Sequence, residues 1–561
     1  MRRVRPIVAV AALAAVLAGC ASIPRGGAVS SLEISADDAA SDPLTLPEGP
    51  QPDATPEQIV QGFIRAGRGP QDNYRVAREF LTDELAQSWS PIASVLVSAS
   101  AIAPAQLDDD SWELTIGVSA SVDAGGRYAP TSSAESRTLD FDLVQNADGQ
   151  WRISSAPDGT VLPPSRFETV FTSYPLYYFD PSYRYLVPEL RWFPRSSTVA
   201  RRIVSELVAG QSSWLSSGVL LSAFPTGTEA GAVDVQDGEA SVALSNEVVA
   251  APDLSKWRML QQLGYSLAAL GEVQSVVIEV SGVPVAVPDD LETPPDRYLS
   301  VDPSLVGVVD DGFGVVGADG TTPLPGLSVD VAQLRPTGAS LARDRSAVAL
   351  RGADGAGAIL VARDAAPVVL DDRAGLAVPS LDPWGFTWSV PQGDPAGLVA
   401  IDATGAEHPL PLPVTGRVVS IDVSRDGTRL LIGADGADGP RLVVLGIDRD
   451  DARVPTALVQ GSVVTVGSGR LVDATWVDTS SVAALVVPSP ASDPDITSVV
   501  SVTLGGTQLR LGEVRGGSVL VSGNGLAGLR LVDAEGEVFR PSGGQGWFDT
   551  GTRVALLATP G

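Results

Sequence analysis

The chain has 561 residues, with 67 acidic against 38 basic side chains, a net charge of −29 and a pI near 4.3. It holds one cysteine (Cys20), one histidine (His408) and one lysine (Lys256), so neither an intrachain disulfide nor a Cys/His zinc site can be assembled, and a Ser-His-Asp triad would have to use His408. The acidic balance lacks the basic footprint that a phosphate backbone requires, which excludes nucleic acid and leaves carboxylate-only chemistry formally open.

At ~100–200 residues per domain the length predicts three or four domains. Residues 1–19 read as a signal peptide: Arg2, Arg3 and Arg5 precede an apolar run too short to span ~30 Å of hydrocarbon. Leu17-Ala18-Gly19-Cys20 matches the bacterial lipobox, in which the cysteine is diacylated and becomes the acylated N-terminus. Cys20 is therefore the predicted lipid attachment, and two or more acyl chains hold stably at ~0.8 kcal/mol per buried CH₂. Residues 20–53 carry Glu33, Asp37, Asp38, Asp42, Glu48 and Asp53 among prolines and glycines with no apolar period, the pattern of a flexible tether. No other run reaches eighteen apolar residues, which places the expected body outside the membrane.

Residues 54–165 begin with a capping box: Thr55 at the N-cap, Pro56 at N1 and Gln58 at N3. A second helix is predicted through Tyr74, Ala77, Phe80, Leu81 and Leu85. Alternation follows over 92–102, 112–122 and 139–144, with Asn146-Ala147-Asp148-Gly149 as a hairpin turn into Trp151-Arg152-Ile153. Two helices on a curved antiparallel sheet resemble the NTF2-like cone, a fold that hosts enzymes and inert adaptors alike.

Residues 166–292 read as α+β. One helix starts near Ser197 and closes at Gly210; another runs over 255–270 with Gly271 at C′. Strands are expected at 186–193, 232–235, 240–244 and 276–280. Residues 300–561 show short alternating strands with an internal repeat: 340–350 (Ser-Leu-Ala-Arg-Asp-Arg-Ser-Ala-Val-Ala-Leu) parallels 422–432 (Asp-Val-Ser-Arg-Asp-Gly-Thr-Arg-Leu-Leu-Ile), and 380–390 and 474–484 share the frame. That period is one four-stranded blade, giving an all-β propeller of about six blades. Residues 553–557 are expected to pair beside 305–316 and close the ring.

The middle region carries the sharpest motif. Tyr178-Phe179, Leu186-Val187-Pro188, Arg191, Pro194, Val208-Ala209-Gly210, Ser222-Ala223-Phe224-Pro225-Thr226-Gly227-Thr228 and residues 238–245 resemble the GerMN domain of sporulation and germination lipoproteins. Ala243 departs from the aspartate often found there, which weakens any role for that acid. With lipobox, NTF2-like region, GerMN domain and propeller in this order, the chain resembles the actinobacterial lipoprotein LpqB family over essentially its full length. The resemblance implies a non-enzymatic, lipid-anchored accessory protein on the outer face of the cytoplasmic membrane. It also implies a partner, the ectodomain of an MtrB-like sensor histidine kinase that governs cell-wall homeostasis and division. The residues themselves leave a competing class open, a binding module for peptidoglycan fragments or lipids.

The densest local anomaly is an aromatic and arginine island around Tyr174, Tyr177, Tyr178, Tyr183 and Tyr185, with Trp192, Phe193 and Arg184, Arg191, Arg195, Arg201 and Arg202. These are the residue types of interface hot spots, which nominates Tyr177, Tyr178, Arg184, Arg191, Trp192 and Arg195 as a surface for a protein partner or cell-wall polymer. The same residues would equally fill a seam between domains. Elsewhere, His408 reads as a surface turn residue, and Asp426-Gly427 as a hairpin turn. The Asp448-Arg449-Asp450-Asp451 run lacks an EF-hand's glycine and terminal glutamate and reads as a polar turn. Trp384, Trp388 and Trp476 are expected on blade strands. No catalytic residue, metal ligand or cofactor is assigned.

Overall fold

The computed structural model describes residues 47–560 apart from 211, 290, 319, 438, 490–492 and 545. The signal peptide, Cys20 and most of the tether lie outside the described residues.

Thr55 caps the helix Pro56–Ala66: its hydroxyl accepts from Gln58 N, and the Gln58 side chain accepts from Thr55 N at 2.9 Å. The second expected helix is split into Arg75–Arg78 and Asp83–Ser88. Between them the chain leaves the helix to bond the sheet, with Ile153 N donating to Phe80 O and Thr82 N to Ile153 O. The apolar spacing there marks one buried face shared by two short helices. The sheet runs in the order Trp151–Ser155, Tyr128–Gln145, Ser111–Asp123, Ser94–Ser98 and Thr160–Leu162. Alternation along Ser111–Asp123 turns Trp112, Leu114, Ile116 and Val118 into the core under the helices.

The middle domain opens with the antiparallel ribbon Phe171–Phe179 and Leu186–Pro194. The helix Val199–Ala209 ends where Gly210 takes a left-handed conformation at φ 58°. The helix Asp253–Leu267 is the crossover between the parallel strands Glu239–Leu244 and Ser275–Val280, with Ala230–Gln236 and Val283–Pro284 on the flanks.

Six sheets form the propeller. Blade one is Val306–Val309, Gly312–Gly317 and Gly320–Thr322; its innermost strand, Leu556–Leu557, arrives from the far end of the chain and pairs with Gly307 and Val308. Thr559–Pro560 then adds to blade two. Closure by strands from both ends removes an open edge. Arg553 itself takes no part in that closure, because it ends Trp547–Arg553, the outer strand of blade six. Blade two spans 338–374, blade three 380–409, blade four 417–465, blade five 469–515 and blade six 517–553. One short helix, Ser328–Leu334, separates blades one and two.

Adjacent blades are stapled by side chains of the innermost strands that accept backbone N–H groups from the next blade. Ser340 accepts from Leu381 N at 3.1 Å, Ser380 from Val423 N at 2.9 Å, Asp422 from Trp476 N at 3.0 Å, and Asp473 from Leu520 N at 2.8 Å. Part of the acidic composition is also used in turns, where an aspartate accepts the amide two residues on. Asp344, Asp382, Asp402, Asp426, Asp450, Asp478 and Asp533 all do so.

Candidate functional site: domain seam and propeller channel

The aromatic island lies where the three domains meet. Trp192 touches all of them: its backbone N–H donates to Gly126 O of the N-terminal domain at 2.7 Å, and its Nε1–H donates to Gly505 O of blade five at 2.8 Å. Its ring centroid lies 5.0 Å from that of Phe167 and 5.5 Å from that of Tyr128. Trp214, 7% exposed, enters a seat in blade four formed by Gly446 and Gly461. The middle-domain core thereby runs without a break into blades four and five, through Val219, Val444, Leu471 and Trp476.

The expected partner surface is therefore largely interior. Tyr178 is fully buried and Tyr177 nearly so; Tyr177 N donates to Ser266 Oγ at 3.0 Å. Burial raises both phenols above their usual range, with the Glu189 carboxylate adding to the effect at Tyr178. Arg191 is buried and ion-paired to Glu189 at 2.9 Å, and Ser212 Oγ donates to the same carboxylate at 2.6 Å. Arg184 and Arg195 alone of the six stand exposed. Arg184 lies over the Tyr185 ring at 5.4 Å, and Arg195 Nε donates to Thr172 Oγ1 at 2.6 Å. The physical reason is area: large amphipathic rings fill a three-way junction, and the guanidinium is tolerated there because a carboxylate accompanies it.

The second candidate is the propeller channel, a cavity of about 280 Å³ walled by the innermost strands. Asp422 and Asp473 face it, with Arg351, Arg417 and Arg470 at the end where those strands begin. Burial pushes the Asp422 carboxyl up to about 6 against the bonds from Trp476 N and Thr475. Burial likewise lifts Asp473 to about 7, with the neighbouring Asp422 adding to the rise and Arg351 opposing it. Both carboxylates are inter-blade staples, so their first role is architectural. In the N-terminal domain the cavity between the helix Pro56–Ala66 and the sheet is apolar and only about 70 Å³, below the size of a drug-sized ligand site.

Other buried ionic groups went unread in the sequence. Asp426 lies in the hairpin turn expected of it and is buried there, ion-paired with Arg429 at 2.7 Å. Burial works to raise its pKa, but Arg429, Thr428 and Ser424 overcome this and hold it below the usual carboxylate range. Arg429 also lies 4.8 Å from the Trp476 ring. Asp382 accepts from Arg449 Nη2 at 2.6 Å, from Trp388 Nε1 at 3.0 Å and from two turn amides. The repeat places Asp344, Asp426 and Asp478 each four residues into the frame, but of these only Asp426 is buried, so the pattern marks the turn and not the burial. His408 corrects another expectation, since it is half-buried on the strand Glu407–Pro409, edge-on to Phe386. Trp388 and Trp476 lie on strands as expected, whereas Trp384 sits in the turn before Thr387–Ser389. Asp450 folds its own turn by accepting from Ala452 N and Val454 N. Among the described residues no three His, Cys, Asp or Glu side chains are grouped to hold a metal ion.

Three family models match the chain in the order of its domains. Residues 49–168 match the lipoprotein LpqB N-terminal domain, residues 175–286 the sporulation and spore germination domain, and residues 307–556 the lipoprotein LpqB beta-propeller domain. The chain belongs to the LpqB lipoprotein family. A lipoprotein LpqB from Cutibacterium acnes is 26% identical over 82% of this chain and 78% of that protein. The LpqB of Mycobacterium tuberculosis is 25% identical over 81% of each chain. That of Thermobifida fusca is 31% identical, but the match spans about half of that relative, 51%, and 54% of this chain. Among solved structures, the first GerMN domain of the sporulation protein GerM from Bacillus subtilis is 23% identical, covering 22% of this chain and 95% of that one at a TM-score of 0.19. TolB from Acinetobacter baumannii is 14% identical, covering 46% and 66% at a TM-score of 0.33. Among the described residues of this LpqB-family chain, no helix is long and apolar enough to cross a membrane.

Proposed function

We propose that this chain is a non-enzymatic accessory protein, anchored through Cys20 on the outer face of the cytoplasmic membrane. There it engages the ectodomain of a sensor histidine kinase and modulates signalling for cell-wall homeostasis and division. The observation that supports this reading best is the seam at Trp192, where one residue bonds two other domains, through its indole N–H to Gly505 and its backbone N–H to Gly126. Side chains that would otherwise be candidates for chemistry are already engaged: Arg191 and Ser212 on Glu189 within the middle domain, Asp426 on Arg429 within blade four, and Asp422 across blades four and five. A molecule built this way offers a partner one continuous surface. Membership of a lipoprotein family supports the anchor.

The test is recovery of partners by the tagged full chain from solubilised membranes. Co-purification of a histidine kinase, and a change in its autophosphorylation when both are reconstituted in liposomes, is the expected result. Recovery of cell-wall polymer without kinase would sink this reading. It would favour instead a binding module for peptidoglycan fragments or lipids, to which the open propeller channel lends support.

A further inference from the structure

Residues 299–304 cross the propeller at the end where the innermost strands turn back. Arg425 of blade four donates to Leu299 O at 3.1 Å, Arg343 of blade two to Ser300 O at 3.1 Å, and Arg345 to Ser304 O at 2.9 Å. Asn524 of blade six pairs with Val301 through both halves of its amide at 2.8 Å. Turns from three blades thus hold one strap, which leads directly from the middle domain.

Beside the strap lies a cavity of about 260 Å³, distinct from the channel lining described above. Arg343, Arg345 and Arg530 line it, with Ser522 and Asn524 between them. The carboxylate on its wall, Asp302, is already paired with Arg345 at 3.2 Å. Arg425 is buried nearby, bound to Leu299 O, Gly523 O and Ser522 Oγ rather than to a carboxylate. Burial lowers the pKa of Arg425, and the neighbouring Arg343 lowers it further against the pull of Asp422. Arg530 is lowered by burial and by Arg540. In a chain with 67 acids against 38 bases, this is a local excess of positive charge around an open volume.

Two of these guanidinium groups have capacity left. Arg343 uses Nε alone, and Arg530 uses Nη1 alone, toward Ala527 O and Leu529 O; their other nitrogens have no acceptor among the described residues. A planar guanidinium fork matches the oxygens of a phosphate group, and two such forks across a cavity can share one. The volume lies below the ~300–1,000 Å³ of sites for drug-sized ligands, so a small ester fits and a polymer does not.

We propose that this cavity binds a small phosphate ester, held between Arg343 and Arg530 with Arg345 at the strap. Because residues 301–305 form one wall, occupancy ties the middle domain's connection to the ring. The phosphate has two sources with the same chemistry, a soluble sugar phosphate or the headgroup of an anionic phospholipid.

Calorimetric titration of the full chain at fixed ionic strength tests this, with glucose 1-phosphate for the first source and glycerophosphoglycerol, a deacylated headgroup, for the second. Saturable one-to-one binding is expected, and the tighter ester identifies the source. Loss of a charge-assisted hydrogen bond predicts affinity falling by about tenfold or more in Arg343→Gln and in Arg530→Gln. Arg515→Gln, on the exposed outer strand of blade five, leaves it unchanged. The hydrogen bonds of Arg530 stay within its own blade, so its variant separates ligand loss from loosening of the strap. Saturable binding of neither ester, or binding undiminished in both variants, overturns the proposal.

Discussion

The indole of Trp214 occupies the space that a side chain at Gly461 would need: a Cβ there would come within 2.3 Å of Cζ2 and 2.7 Å of Val444 O. Gly446 is similarly confined, 3.0 Å from Trp214 Cδ1 and Val219. Two glycines on neighbouring strands of blade four therefore make the concavity on which the middle domain rests. Gly461→Val overpacks that seat and is expected to destabilise by ~1–3 kcal/mol, while Trp214→Ala empties it at ~3–5 kcal/mol. Denaturant unfolding should show the middle domain and the ring separating into two transitions. A single transition with unchanged midpoint in both variants would show that this contact does not couple them.

Trp192→Phe keeps the ring against Phe167 and Tyr128 but leaves Gly505 O without its donor. The expected loss is about 1 kcal/mol, the usual net value of one hydrogen bond. The backbone bond from Trp192 N to Gly126 O persists in the variant, so the N-terminal domain should stay docked. Release of that domain to protease in the same variant would contradict this division of labour.

Asp473 and Asp422 set a pH dependence whose sign follows from burial. Their folded pKa values, about 7 and about 6, stand above the unfolded value near 3.9. The folded state therefore holds protons that the unfolded state has released, and stability falls as pH rises from about 4 toward 7. Asp473→Asn removes its share of that decline. The melting temperature of the variant, relative to the parent, should rise between pH 5 and about pH 7 and level off above it; a constant difference across this range would show that Asp473 does not titrate there.

Asp382 and Arg449 form a buried pair, 0% and 4% exposed at their side chains. Asp382→Ala strips acceptors from Arg449, Trp388 Nε1 and the amides of Trp384 and Phe386. Arg449→Met leaves the carboxylate with its other three donors. Both changes are expected to cost several kcal/mol, at or below the ~3–5 kcal/mol of a broken buried pair, with the aspartate variant the more damaging. A double-mutant cycle measures the coupling directly, and equal single losses with no coupling would refute the pairing as a stabilising unit.

Much of the fold was legible because local chemistry announces it. Thr55 and Gln58 form a cap by themselves, Gly210 ends a helix by its own φ, and the repeat at 340–350 and 422–432 is one strand–turn–strand written twice. The split at Phe80–Leu81 was hidden because burial against Ile153 gives the same apolar spacing as a continuous helix. The site was less legible still. Tyr178 and Arg191 look alike in sequence whether they face a partner or another domain, and only the position of Glu189, Gly126 and Gly505 decides. Asp426 likewise satisfies turn chemistry and burial together, and the turn is the part that composition can announce.

The pairing of Leu556–Leu557 with Gly307 and Val308 also sets a timetable for biosynthesis. At ~5–20 residues per second, about 250 intervening residues keep blade one waiting for tens of seconds before its inner neighbour exists. Throughout that interval the edge of Val306–Val309 can pair with another chain. The ring is assembled against a clock set by its own length, and blade one stays open until Leu556–Leu557 arrives.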